Sequence, residues 1–114
     1  MKNFLERKIS ENAISLSEFG LQEFAWGKEA ALQLVRSLLD EDVGILGGDV
    51  YEIKQEHLTP LYDNWSCEPE QSETKEDYIY RSKAVALSYI SQYHIPAEEK
   101  VVFTMTFIEK SQLS

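Results

Sequence analysis

The segment ILGGDVYEI, residues 45–53, begins as an apolar run, stops at a glycine pair, turns acidic at Asp49 and resumes with apolar and aromatic residues. With its neighbours it predicts a long strand over residues 43–54. Glycine inside a strand usually marks a bulge, a hairpin bend or a close approach of two backbones. We therefore interpret the glycine pair as a feature of backbone geometry rather than a ligand-binding loop. Asp49 would then lie at the bend, on the same side of the strand as Tyr51.

A second extended segment is predicted at residues 58–67, where Pro60 restricts it to an edge position or a bend. Alternation divides its side chains between the two sides of a strand. One side carries Leu61, Trp65 and Cys67, and the other carries Tyr62, Asn64 and Ser66. The loop EPEQSETKED that follows is acidic.

Two helices are predicted from the spacing of apolar residues. The segment KEAALQLVRSLLDE, residues 28–41, has an apolar face that extends to Leu38 and Leu39. The second helix starts behind Thr74, where Thr74-x-x-Asp77 approximates a capping box, and runs to about Tyr93. It also carries a smaller apolar stripe, which is either a second buried face or a partner surface. The stripe consists of Tyr80, Ala84 and Leu87.

The remaining segments complete the prediction of the fold class. KVVFTMTFIE, residues 100–109, alternates along its whole length and predicts one more strand. Residues 3–24 mix short helical and strand-like patterns, with a turn at Gly20. Strands separated by helices at these spacings predict an α+β fold, with a small, mainly antiparallel sheet and two main helices packed on one face. No repeat or linker divides residues 1–114, so we expect a single domain.

The balance of charge excludes several classes of partner. Eleven basic and twenty acidic side chains give a formal net charge of −9. We expect neither nucleic acid nor an anionic membrane surface as a partner, because both favour clustered lysine and arginine, and acidity by itself more often serves solubility. A basic protein surface remains suitable. The N-terminus shows no secretory signal and Cys67 has no disulfide partner, so we expect a cytoplasmic protein.

No pattern for catalysis, metal binding or a cofactor is found. A phosphate loop would need Lys-Ser or Lys-Thr after the glycine pair, and neither follows. The acids at 40 and 42 match a calcium loop only at its first two positions. Zinc needs three or four ligands at set spacings, and Cys67, His57 and His94 form no such motif. A lone cysteine on the apolar side of a strand is more often a small buried hydrophobe than a nucleophile, so we predict no enzyme.

The aromatic residues are the most informative candidates for binding. Trp26 and Trp65 lie beside helix and strand ends, where a core position is favoured over an interface position. Tyr62 differs, because it alternates to the side opposite Trp65 and lies next to Asp63. An exposed tyrosine with neighbouring acids is typical of an interface hot spot.

Taken together, these segments resemble the immunity protein 40 family. The likeness rests on ILGGDVY at 45–51, YDNW at 62–65, the acidic loop and the helix pattern Tyr78-x-x-Arg81-Ser82, and it covers residues 15–93. Members of the family are assigned to bacterial polymorphic toxin and contact-dependent competition systems. The resemblance implies a cytoplasmic protein that binds one cognate toxin domain and blocks it without chemistry of its own.

The resemblance supplies no binding residues, so the surface is our own hypothesis. An acidic inhibitor can place carboxylates where the basic cleft of a toxin expects phosphate, while aromatic side chains supply affinity. The hypothetical surface comprises Asp49, Tyr51, Tyr62, Asp63, Glu68 and Glu70. The alternative function is a small acidic regulatory or adaptor module that binds an unrelated host protein. Gene order would separate the two, because an immunity gene lies directly downstream of its toxin gene.

Overall fold

The computed structural model describes the backbone of residues 2–114 and the side chains from Glu6 onward. Three α-helices lie in this part of the chain: α1 (Lys2–Ser10), α2 (Lys28–Ser37) and α3 (Lys75–Gln92). The strands are β1 (Ile14–Ser15), β2 (Phe24–Gly27), β3 (Val43–Lys54), β4 (His57–Ser66), β5 (Lys100–Phe103) and β6 (Thr106–Glu109). Short 3₁₀ helices span Ser17–Phe19 and Lys110–Gln112. The α+β class, the antiparallel sheet and the two main helices packed on one face are confirmed.

The long strand β3 is the axis of the sheet. The strand order is β1-β2-β5-β3-β4, with every neighbouring pair antiparallel. Along one side, β3 pairs first with β6, from Val43, and then with β5, as far as Ile53. Along its other side it pairs with β4, which is the edge strand that Pro60 predicted. Of the described helices, none is long and apolar enough to cross a membrane.

The prediction of one continuous strand over residues 100–109 is wrong. The structure interrupts it at Thr104 and Met105, directly beside the glycine pair of β3. The Thr104 backbone N–H still donates to the carbonyl of Asp49 at 2.9 Å, but the Thr104 hydroxyl, rather than its carbonyl, accepts from the Asp49 N–H at 3.1 Å, so the ladder is interrupted there. The Thr104 carbonyl oxygen then fills the place where a β-carbon on Gly48 would stand.

Gly47 and Gly48 confirm the bulge and the close backbone approach that the sequence predicted. Gly47 has φ +155°, a conformation that L side chains rarely adopt, and a β-carbon there would overlap the Trp65 carbonyl oxygen. A β-carbon on Gly48 would also lie 2.5 Å from the Trp65 ring. The register between β3 and β6 shifts between Ile45 and Gly47. The glycine pair therefore allows a tryptophan and a displaced carbonyl to pack against one strand.

The core between sheet and helices is continuous, and α2 ends earlier than its pattern predicts. The helix stops at Ser37 rather than Glu41, and Leu39 is 44% exposed, so its predicted place on the buried face is wrong. Lys83 of α3, itself buried, explains this end. Its ammonium group donates to the carbonyls of Leu38 at 2.7 Å and Glu41 at 2.8 Å, which joins the turn that follows α2 to α3 and satisfies carbonyls that α2 itself leaves without a partner. Burial lowers the pKa of Lys83.

Lys83→Met is expected to lower the free energy of unfolding by about 2–3 kcal/mol. The methionine keeps most of the volume but removes the ammonium donor of the Glu41 carbonyl and one of the two donors of the Leu38 carbonyl, which keeps the Glu41 N–H. This loss exceeds the relief of burying a charge. Lys75→Met, at an exposed lysine of α3, is the matched control. Denaturant unfolding of both variants measures the difference, and equal midpoints would contradict the role given to Lys83.

A smaller apolar cluster lies below the loop between β4 and α3. The predicted cap is present, since the Thr74 hydroxyl accepts from the Asp77 N–H at 3.1 Å. One turn further along, the buried hydroxyl of Tyr78 donates to the Cys67 carbonyl at 2.7 Å. Burial raises the pKa of Tyr78 to about 12. The folded protein therefore retains this proton at a pH where the unfolded chain, with an ordinary tyrosine pKa of about 10, has lost it.

The raised pKa of Tyr78 predicts a loss of stability in alkali. Stability is full below about pH 10 and falls toward pH 12, by about 2 kcal/mol for this group. Tyr78→Phe should be less stable than the unmodified chain at pH 8, since it loses a hydrogen bond. Between pH 10 and pH 12, however, its unfolding free energy should fall less than that of the unmodified chain. Tyr80→Phe, at an exposed tyrosine, should keep the full loss. Denaturant unfolding across this range measures both slopes, and parallel curves would contradict the prediction.

The face of the sheet opposite the helices is covered by residues 14–21, within the segment that the sequence left unassigned. Leu16 is fully buried there against Ala25 and Val102, with Tyr51 packed at the margin. Gly20 has φ +86° at the end of the first 3₁₀ helix, which confirms the predicted turn. We call residues 14–21 the strap and this side of the sheet the strap face.

Candidate functional site

Tyr62 is the most exposed large apolar side chain in the described part of the chain, at 85%. It lies in an irregular part of the β3–β4 pairing: Asp49 pairs with Asn64 and Tyr51 with Pro60, so three residues of β4 lie opposite one of β3. Tyr62 has φ +64°, in the left-handed region that few tyrosines occupy. Such conformations persist only where the surrounding structure imposes them, and they cluster at binding sites.

Asp63, the next residue, connects the edge strand to α3. Its carboxylate accepts a hydrogen bond of 2.6 Å from the hydroxyl of Tyr93. Burial, and then the hydrogen bond to Asp63, raise the pKa of Tyr93 to about 12. The Tyr93 ring lies 6.0 Å from that of Tyr89, which stacks on Trp65 at 4.9 Å. Asp63 is thus held in place by a row of aromatic rings behind it.

Asp49 and Tyr51 lie near one another on β3. Tyr51 is partly buried, and burial, followed by the carboxylates of Glu23 and Asp49, raises the pKa of its hydroxyl. Tyr51 lines a groove of about 540 Å³ on the strap face, between the strap and the β3–β4 hairpin. Its neighbours in the lining include Pro60, two residues before Tyr62.

Glu68 and Glu70 lie in a separate region, on the loop after β4. Arg81 of α3 secures this loop with two hydrogen bonds to the Glu73 carboxylate, at 2.6 and 2.8 Å, and one to the Glu68 carbonyl at 2.9 Å. Glu70 lines a cleft of about 340 Å³ that Leu113 closes from the other side. The structure therefore places the six hypothetical residues in three neighbourhoods: the groove, the bulge of β4 and the acidic loop.

The three neighbourhoods share a negative charge. From β3 to the end of the acidic loop, residues 43–74 carry seven carboxylates and one lysine. The carboxylates are Asp49, Glu52, Glu56, Asp63, Glu68, Glu70 and Glu73. The hairpin and the loop after it therefore attract a cationic partner.

Within the described residues, no three histidine, cysteine, aspartate or glutamate side chains stand together as a metal site would require. Cys67 is buried, and desolvation raises the pKa of its thiol. Its sulfur accepts a contact of 3.1 Å from Arg81, whereas His57 and His94 are both exposed. The arrangement keeps Cys67 protonated and packed.

Both tryptophans are core residues, which answers a question that the sequence left open. Trp26 is 1% exposed and its indole N–H donates to the Ile9 carbonyl at 3.1 Å. Trp65 is 7% exposed, and its buried indole N–H finds no acceptor among the described residues. The apolar stripe of α3 is exposed at Tyr80 and Ala84 and partly buried at Leu87.

Comparison with protein families connects this geometry to a function. The family described as immunity protein 40 matches residues 15–107, from β1 into β6. The chain belongs to this family. It is therefore an immunity protein against a toxin, and the matched region contains all six residues of the hypothetical surface. Neither the curated proteins nor the solved structures contain a match to the chain.

Sequence reasoning missed the strap side of the groove in this immunity protein. Glu18 and Phe19 line it together with Tyr51 and Glu56, although more than thirty positions separate the two pairs in the chain. Residues 3–24 had no clear periodicity, so nothing assigned the strap to a face of the sheet. Alternation along β4 predicted the exposure of Tyr62, but it missed the bulge of residues 61–63 that sets the backbone of Tyr62.

Proposed function

We propose that this immunity protein acts in the bacterial cytoplasm, where it binds one cognate toxin domain and blocks it by covering part of the toxin's surface, without catalysis. The observation that carries the proposal is Tyr62, an almost fully exposed aromatic side chain held in a left-handed conformation. Aromatic anchors of this kind dominate the energy of protein interfaces. Because the backbone of Tyr62 already has a restricted conformation, it loses little backbone entropy when it binds.

The edge of β4 supports recognition by side chains rather than by strand pairing. An unpaired edge can accept a strand from another chain. Here Pro60 removes one N–H, and the bulge at Tyr62 breaks the row of backbone groups. A partner therefore meets projecting side chains along the middle of β4.

The negative charge of the β3–β4 hairpin and of the loop after it also supports the binding of a toxin domain. Residues 43–74 carry a large excess of carboxylates, and complementary charge speeds encounter with a basic partner and fixes its orientation. Toxins that act on nucleic acids or nucleotides have basic clefts, and such a cleft is the surface that an acidic protein covers best.

Growth rescue tests the proposed function. The chain is co-expressed with the C-terminal domain encoded by the gene directly upstream, and surviving cells are counted. We expect rescue by this chain and none by an unrelated acidic protein of similar size. Equal killing with and without the chain, or an upstream domain that does not kill, would overturn the proposal and favour an adaptor function.

The absence of catalysis has its own test. The toxin domain is recovered from the complex under denaturing conditions, refolded and assayed, and its mass is measured. We expect an unchanged mass and full recovery of toxin activity, because covering a surface leaves no covalent trace. A mass change or permanent inactivation would show that the chain modifies its partner.

A further inference from the structure

The groove on the strap face has two kinds of lining. Its apolar part comes from Phe19 of the strap, from Leu58 and Pro60 of β4 and from the ring of Tyr51. Its polar part includes the carboxylates of Glu18 and Glu56, one from each side of the groove. The combination is suited to a side chain with an apolar stem and a polar end.

The described lining of the groove holds two carboxylates and no lysine or arginine. The carboxylates of Glu23 and Asp49 lie close enough to Tyr51 to act on its hydroxyl. His57 is the one basic side chain in the described lining. A cation that entered the groove would meet Glu18, Glu56 and Tyr51 in its lining, with the negative charges of Glu23 and Asp49 near the tyrosine, and all of these attract positive charge.

We propose that the groove receives one lysine or arginine side chain of the toxin, with its alkyl stem against Leu58 and Pro60 and its charge beside Glu18 and Glu56. This inference rests on the proposed function and assigns a partner group to one part of the surface. A second copy of the chain is a poor occupant, because its own net charge is −9. An apolar ligand would strip water from two carboxylates without replacing their interactions.

Affinity measured against ionic strength tests this inference. Calorimetry with the purified full-length chain and the toxin domain is done at about 50 mM and about 300 mM NaCl, which changes the screening of exposed charges. The test variant is Glu18→Gln/Glu56→Gln. The control is Glu29→Gln/Asp40→Asn, which removes two exposed carboxylates, one on α2 and one in the turn after it, on the side of the sheet that α2 covers.

We expect the groove variant to bind about tenfold more weakly at low salt and to lose part of its salt dependence, while the control changes by less than about threefold. Tyr51→Phe, which keeps the ring, should weaken binding less than Tyr51→Leu; this comparison tests the tyrosine face separately, and circular dichroism confirms that both variants fold. Equal effects of the groove and control variants would overturn the inference and leave the proposed function intact. No binding by the unmodified chain would overturn both.

Discussion

Gly48→Ala is expected to lower the free energy of unfolding by about 4 kcal/mol, a large part of the stability of a domain of this size. The new methyl group would overlap the Thr104 carbonyl oxygen on one side and meet the Trp65 ring on the other. Neither the Thr104 carbonyl nor the Trp65 ring can move away easily. Thr104 is held by two hydrogen bonds to the Asp49 backbone, and Trp65 is stacked on Tyr89.

Gly27→Ala provides the control for this prediction. A β-carbon at Gly27 would meet nothing within 4 Å, and its φ of −64° suits any residue. Because Gly27 is the N-cap of α2, we expect a cost of about 1 kcal/mol or less. Denaturant unfolding followed by tryptophan fluorescence measures both variants. If Gly48→Ala costs no more than Gly27→Ala, the close approach of β3, β4 and Thr104 is not a constraint on the fold.

Tyr62→Gly is expected to weaken toxin binding by at least about 30-fold, the effect of losing a hot-spot aromatic. Glycine adopts φ +64° without steric cost, so the folding stability should stay the same or rise slightly. Loss of affinity without loss of stability separates a binding role from a structural one, because natural proteins often accept strain where function requires it.

Tyr80→Ala is the matched control, since Tyr80 is the other strongly exposed tyrosine, at 71%, and lies on α3. We expect its affinity to stay within about twofold of the unmodified chain. Calorimetry with the purified toxin domain measures both variants. A weak effect of Tyr62→Gly together with a strong effect of Tyr80→Ala would move the interface to the apolar stripe of α3.

The parts of the fold that depend on local sequence were predictable. Strand β3, the start of α2 behind Gly27, the Thr74 cap and the edge position of Pro60 all follow from neighbouring residues. The predictions that failed depend on residues far away in the sequence. The break between β5 and β6 arises from contacts with the glycine pair, about fifty positions earlier, and the end of α2 is fixed by Lys83, more than forty positions later.

The candidate site also combines features that local sequence predicts with features that depend on distant residues. Alternation predicts that Tyr62 is exposed, and it is, but the residue lies in a bulge of β4 that interrupts the alternation. The hydrogen bond between Asp63 and Tyr93 joins residues 30 positions apart, and no periodicity reports it. The groove needs the strap to cross the sheet, and residues 14–21 carry no pattern that specifies this path. The sequence therefore indicated the exposed anchor but not the groove beside it.

Hydroxyl-radical footprinting of the complex tests the central claim most directly. The chain is oxidised alone and with its toxin domain, and mass spectrometry follows the two exposed tyrosines, Tyr62 and Tyr80. We expect oxidation of Tyr62 to fall sharply in the complex, while oxidation of Tyr80 does not change. Protection of Tyr80 with Tyr62 still fully oxidised would contradict it.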